Sequence, residues 1–149
     1  VKSESYLLEI AHFFPDMTVF QQACPMWVPL IENGEHEGAG ADYFVKDSLD
    51  QLMSQSPGID TVLLACTHYP LLVPKIEAQL PKHIQVVAQG EIVAQSLANY
   101  LERHPAMADH CSKNGHIRFC TTDSTTDFNE KGAIFFGKSL KSEHIVLGH

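Results

Sequence analysis

The sequence predicts an α/β protein in which helices flank a parallel β-sheet. Two short, largely apolar runs, residues 59–65 (IDTVLLA) and residues 84–88 (IQVVA), are bounded by turn signals and are typical of buried strands. We expect the first of them to be buried on both faces. Segments with apolar residues at helical spacing lie before and after each run. Strands that alternate with helices of this length favour parallel pairing.

Helices dominate the prediction before the first apolar run. Residues 3–14 carry apolar side chains at helical spacing, and the β-rich residues 18–23 predict a strand. A loop or a short helix then covers residues 26–32. Helical spacing returns in residues 41–53, and a Ser-Pro-Gly sequence at residues 56–58 breaks that helix.

Helices and strands alternate through the rest of the chain. Residues 70–80 and 91–103 have helical patterns on either side of the second apolar run. The sequence from Ser124 to Asp127 fits a capping box at a helix start. The remaining predicted elements are a polar loop at residues 104–114, a strand at 117–121, a helix at 125–136 and a short strand at 143–147.

Composition and charge exclude several classes of function. The 149 residues carry a net charge of −8 with no basic patch, which argues against sequence-independent nucleic-acid binding. No apolar run approaches the roughly 18 residues of a membrane span. The first residues show no signal-peptide pattern, and the absence of an initiator Met is compatible with processing or truncation. Four separated cysteines without a CxxC pair favour reduced thiols in a cytoplasm.

The most informative stretch is residues 63–72 (LLACTHYPLL), at the end of the first apolar run. Ligands bind beyond the carboxyl ends of strands in open parallel sheets, so a site is expected here. If the backbone stays extended, Cys66 and His68 project to the same side. Pro70 suits the first turn of a helix, whose free N–H groups would favour a thiolate at Cys66 and a substrate carboxylate at Thr67.

Three other readings of this stretch stay open on the residues alone. A cysteine at a strand end is commonly a small buried apolar residue. Cys66 and His68 could be half of a metal site, although the other His and Cys residues show no matching spacing. A Cys-His hydrolase is also conceivable, but no Gly-rich nucleophile turn precedes Cys66.

Three blocks of sequence resemble the glutamate racemases, members of the cofactor-independent Asp/Glu racemase superfamily. Residues 63–72 resemble the second-cysteine motif of that family, and residues 21–34 (QQACPMWVPLIENG) resemble another family block. Residues 121–128 (TTDSTTDF) and 135–147 (FFGKSLKSEHIVL) resemble the C-terminal segment. The similarity covers nearly the whole chain, and the CTHYP sequence within it is highly specific.

The resemblance implies a two-cysteine isomerase that inverts the α-carbon of glutamate without a cofactor or metal. Cys66 would be the second cysteine, and His68 would assist its proton transfer or position the substrate. Thr67 would offer its N–H or hydroxyl to a substrate carboxylate. Glu32 would lie near His68 or the substrate ammonium. Cys24 receives no chemical role from the resemblance and is interpreted as a packing residue.

The first catalytic cysteine of the family, with the Asp-Ser pair that supports it, has no counterpart here. The resemblance therefore implies that residues 1–88 form the second α/β domain and that residues 89–149 return to complete a largely missing first domain. This chain would then be inactive alone and would need the missing N-terminal half as its partner. The family further implies a homodimer in a bacterial cytoplasm, supplying D-glutamate for peptidoglycan, cell-wall biogenesis and cell shape.

Rival functions come from the same family and from outside it. An aspartate or hydantoin racemase of the same superfamily is an alternative, since residues outside this sequence largely determine which substrate fits. Some glutamate racemases that resemble this chain also inhibit DNA gyrase by protein contact, so a non-catalytic gyrase-binding role is a second alternative. An inert fragment or purely structural domain is a third.

Overall fold

A computed structural model of the chain describes residues 4–148. The predicted start of the first helix at Ser3 lies outside the described residues. The chain divides into two compact units, one ending at Gln89 and the other beginning at Gly90. Both contain helices and a pair of parallel strands, so the predicted fold class is confirmed. None of the helices in the described part combines the length and apolarity that a membrane span requires.

The first unit packs three of its helices against one face of a two-stranded sheet. Strands β1 and β2 are parallel, with Val62 opposite Val86 and Leu64 opposite Ala88. The elements are α1 (Ser5–Phe13), α2 (Trp27–Glu32), α3 (Ala39–Met53), β1 (Thr61–Leu64), a 3₁₀ turn (Tyr69–Leu72), α4 (Val73–Gln79) and β2 (Gln85–Ala88). The buried core consists of Trp27, Ile31, Ala41, Val45, Leu49, Val62, Leu64, Leu72, Ile76 and Leu80.

The prediction that the first apolar strand is buried on both faces is wrong for the described residues. Val62 and Leu64 point into the core, whereas Leu63 is 43% exposed. The core residues from α2, α3 and α4 all gather with Val62 and Leu64, so one face of β1 is covered. Alternate residues of a strand point to opposite faces, and Leu63 therefore faces the uncovered side.

The predicted strand at residues 18–23 is also wrong, because this segment has no regular secondary structure. A strand needs a partner for its backbone groups, and β propensity alone does not supply one. The carbonyl of Gln21 instead accepts a hydrogen bond from the Gln55 side chain at 3.3 Å. Among the described residues, β1 pairs with β2 and with no strand on its other edge.

The single helix predicted at residues 70–80 is divided into the 3₁₀ turn and α4. Pro74 has no N–H with which to bond the carbonyl of Pro70 in α-helical register. That carbonyl accepts from the N–H of Val73 instead, which is the tighter 3₁₀ spacing. Two prolines four residues apart therefore decide where α4 begins.

The second unit has its own parallel pair, β3 with β4, in which Cys120 lies opposite Glu143. Its elements are α5 (Gln89–Arg103), α6 (Pro105–His110), β3 (Phe119–Thr121), α7 (Thr125–Phe136) and β4 (Ser142–His144). Helix α7 has the predicted bounds, and its first turn is capped by Ser124, whose hydroxyl accepts from the N–H of Asp127 at 3.3 Å. Gly137 ends α7 with a φ of 71°.

Several details of the second unit differ from the prediction, including the start of β3, which is at Phe119 rather than at residue 117. The sequence predicts a polar loop at residues 104–114, but these residues contain α6. Pro105 occupies the first turn of that helix, where its missing N–H costs nothing and its fixed φ favours helix. The last strand is shorter than residues 143–147, although the N–H of Ile145 still bonds the carbonyl of Thr121 at 2.9 Å.

Candidate active site

The chain turns sharply where β1 ends, and this turn carries the candidate catalytic residues. The carbonyl of Cys66 accepts a hydrogen bond from the N–H of Tyr69 at 3.2 Å, and that of His68 accepts from Leu71 at 3.2 Å. His68 has helical dihedral angles, so the extended backbone expected from Cys66 to His68 is wrong. Pro70 lies in the first turn of the 3₁₀ segment as predicted.

Cys66, His68 and Glu32 form a line of three chemical groups. The Sγ atom of Cys66 is 4.0 Å from Nδ1 of His68. On the opposite side of the imidazole, Nε2 of His68 is 3.3 Å from Oε1 of Glu32. The side chains of His68 and Glu32 are 26% and 42% exposed, so a small molecule can reach both of them. An imidazole held between a thiol and a carboxylate can take up or return the proton of the thiol.

Thr67 is exposed in the turn between Cys66 and His68. We expected it to face the N-terminus of an α-helix, but the segment that follows is a four-residue 3₁₀ turn, and α4 begins only at Val73. The dipole of a long helix therefore does not act at this position. The polar groups of the turn itself remain next to Thr67.

An aromatic pair that the sequence analysis did not identify connects the two segments of the site. The rings of Trp27 and Tyr69 meet edge to face with centroids 4.8 Å apart. Trp27 is 2% exposed at the start of α2, and its Nε1–H donates to the carbonyl of Phe44 at 3.2 Å. Since α2 ends at Glu32 and Tyr69 follows His68, this contact helps to fix the distance between carboxylate and imidazole. The one signal in the sequence was a single Trp at the start of a short helix.

Burial and nearby thiols keep the Tyr69 phenol neutral. Desolvation raises its pKa from 10.0 to about 12, and the charges of Cys24 and Cys66 add to the effect. Burial also raises the pKa of the Cys24 thiol, against a smaller opposing hydrogen bond from Ser48. Cys24 is half-buried against the core. These surroundings favour an inert Cys24, in line with the packing role assigned to it.

We expect the first unit to lose stability through Tyr69 as the pH rises from 10 to 12. The folded-state pKa is raised, so the unfolded chain releases this proton first, and the stabilisation present below pH 10 disappears toward pH 12. The urea midpoint, followed by fluorescence of Trp27, should fall across this window. Tyr69→Phe should show a smaller fall because it has no phenol to ionise. Equal falls in the two proteins would contradict this account.

Within residues 4–148, no group of three or more His, Cys, Asp or Glu side chains is arranged to hold a metal ion. The four cysteines are all free thiols. The groups that the site offers are therefore a thiol, an imidazole, a carboxylate and the backbone of the turn.

Known proteins similar to this chain are glutamate racemases. No protein-family model matches the sequence. The glutamate racemase of Shouchella clausii is 38% identical over 133 residues, covering 89% of this chain and 47% of the relative. Glutamate racemase 2 of Caldanaerobacter subterraneus is 34% identical over 146 residues, covering 98% of this chain and 54% of the relative. The chain thus spans about half the length of the curated relatives it matches.

Solved structures show the same relation. Glutamate racemase isoform RacE1 from Bacillus anthracis has a TM-score of 0.85 and 28% identity, covering 98% of this chain and 53% of its own. The racemase from Francisella tularensis, solved in complex with D-glutamate, has a TM-score of 0.80 at 24% identity, covering 99% of this chain and 53% of its own. Because its identity to this chain is only 24%, the Francisella structure is evidence for the fold alone.

Proposed function

Because this chain belongs to the glutamate racemase family and spans about half the length of its relatives, we propose that it supplies one face of a two-cysteine racemase. Cys66 is the acid/base residue of that face. The observation that carries this proposal is the line from the Cys66 thiol through His68 to Glu32, with its distances of 4.0 and 3.3 Å.

The chemistry follows from what inversion requires. The thiolate of Cys66 removes the α-proton of one enantiomer, and the resulting planar carbanion receives a proton on its opposite face from a second thiol. In the reverse direction the Cys66 thiol delivers the proton. His68 exchanges the thiol proton, while Glu32 holds the imidazole in position, as carboxylates commonly do for catalytic histidines. Thr67 offers its exposed hydroxyl or N–H to a substrate carboxylate.

The second thiol comes from outside this chain in our proposal. The other cysteine of the first unit, Cys24, is half-buried, and its raised pKa disfavours the thiolate. We assign residues 1–88 to the second domain of the racemase and residues 89–149 to a segment that completes the first. The whole enzyme is proposed to act on glutamate as a homodimer in a bacterial cytoplasm, making D-glutamate for peptidoglycan.

The 149-residue chain alone should not interconvert the enantiomers of glutamate, whereas the full-length racemase that contains it should. Incubation of each with L-glutamate in D₂O, followed by chiral chromatography and mass spectrometry, measures α-deuterated D-glutamate. The same assay with L-aspartate tests the substrate. Deuterated D-glutamate formed at an enzymic rate by the chain alone would overturn the two-part site. Turnover of aspartate but not glutamate by the full-length protein would overturn the assignment of glutamate as the substrate.

A further inference from the structure

The first unit has a surface cavity, open to solvent, of about 350 Å³ that the proposed reaction does not use. It is bounded by the loop that follows Glu32 and by the elements that follow His68, and its polar lining consists of His36, Glu37, Asp42 and Lys75. Leu71 and Pro74 supply an apolar wall. Cavities of this size are in the range of small-molecule sites, about 300–1,000 Å³.

Two polar groups of this lining have hydrogen-bonding capacity that contacts within the protein do not use. The Nδ1 atom of His36 is buried and has no hydrogen-bond partner among the described residues. The Lys75 side chain is only 19% exposed, and its ammonium pairs with Asp42. One carboxylate oxygen occupies one of the three N–H donors of an ammonium, so Lys75 can still donate to a ligand. The cavity therefore offers a donor at Lys75. His36 adds an acceptor, in one tautomer, when its ring turns so that the buried Nδ1 atom faces the cavity.

We propose that this cavity binds a small aliphatic amino acid in its zwitterionic form. The carboxylate accepts from Lys75. The ammonium donates to the Glu37 carboxylate and, once the imidazole ring turns toward the cavity, to Nδ1 of His36. The alkyl side chain packs on Leu71 and Pro74. A simple anion would meet the charges of Glu37 and Asp42, and a simple cation would meet Lys75, so a molecule with both charges is the better match. The site does not depend on the proposed racemase chemistry.

Titration of the ¹⁵N-labelled chain with L-valine tests the proposal. We expect saturable shifts of the backbone amides of Gly38 and Ala78. Two matched ligands separate the charges: 3-methylbutanoate lacks the ammonium and isobutylamine lacks the carboxylate, and neither should produce saturable shifts at the same concentrations. The Cys66→Ser variant should respond as the unaltered chain does, which distinguishes this cavity from the candidate active site.

Variants of the cavity provide the second half of the test. Lys75→Met keeps the aliphatic stem of the side chain and should weaken valine binding at least about tenfold, the scale of one lost charge-assisted hydrogen bond. His36→Leu should weaken it as well. Lys46→Met is the matched control, because Lys46 pairs with Asp50 on the exposed face of α3, and it should bind normally. Absence of saturable shifts, equal shifts with 3-methylbutanoate, or undiminished binding by both cavity variants would overturn the proposal.

Discussion

If Cys66 has the proposed acid/base role, replacing it by serine in the full-length protein should lower kcat for glutamate by about 10²- to 10⁴-fold, the usual contribution of a positioned general acid or base. The substitution keeps the size and shape of the side chain. A serine hydroxyl, however, stays protonated at neutral pH, so no base remains on this face of the substrate. Circular dichroism of the glutamate enantiomers, followed in both directions, measures the loss.

Cys111→Ser is the matched control for that experiment. Cys111 is an exposed thiol at the end of α6, where its Sγ atom is 3.5 Å from the carbonyl of Met107. The same chemical change at this position should leave kcat unaltered. If Cys66→Ser retained full activity while its fold was intact, the thiol of Cys66 would not be the acid/base group. If both variants lost activity equally, the loss would not be specific to the candidate site.

Leu72→Ala should lower the free energy of unfolding of the first unit by about 2–5 kcal/mol. Leu72 ends the 3₁₀ turn with no exposed surface and packs in the core that also holds Ile31 of α2. Removing its isopropyl group leaves a cavity between the segment of His68 and the helix of Glu32. We therefore expect the pair formed by His68 and Glu32 to loosen together with the core.

The fluorescence of Trp27 makes this measurement local. It is the single tryptophan of the chain and lies in the core of the first unit, so its emission in a urea titration reports on that unit. Leu8→Ala removes the same atoms from a side chain that is 68% exposed on α1 and should change stability by no more than about 0.5 kcal/mol. Equal effects of the two substitutions would show that Leu72 does not support the core.

Local sequence predicted most elements of this fold because their signals are local. The bounds of α7 follow from a serine cap and a C-terminal glycine, and both apolar runs became parallel strands. Residues 18–23 carried an equally good strand signal, but their conformation depends on a partner strand that the described residues do not provide. The prediction that the Leu63 face of β1 is buried was wrong for a similar reason, because the burial of a strand face depends on what packs against it.

In the candidate site, too, some features follow from local sequence and others only from the tertiary structure. The sequence by itself determined that a thiol and an imidazole follow the first strand and lie close together, because Cys66 and His68 are two residues apart. Resemblance added Glu32 as a candidate. Only the tertiary structure decided that Glu32 reaches His68 and that the Trp27–Tyr69 contact joins their two segments. These contacts connect residues far apart in the chain, and their distances are fixed by the packing of α2 against the turn rather than by any local pattern.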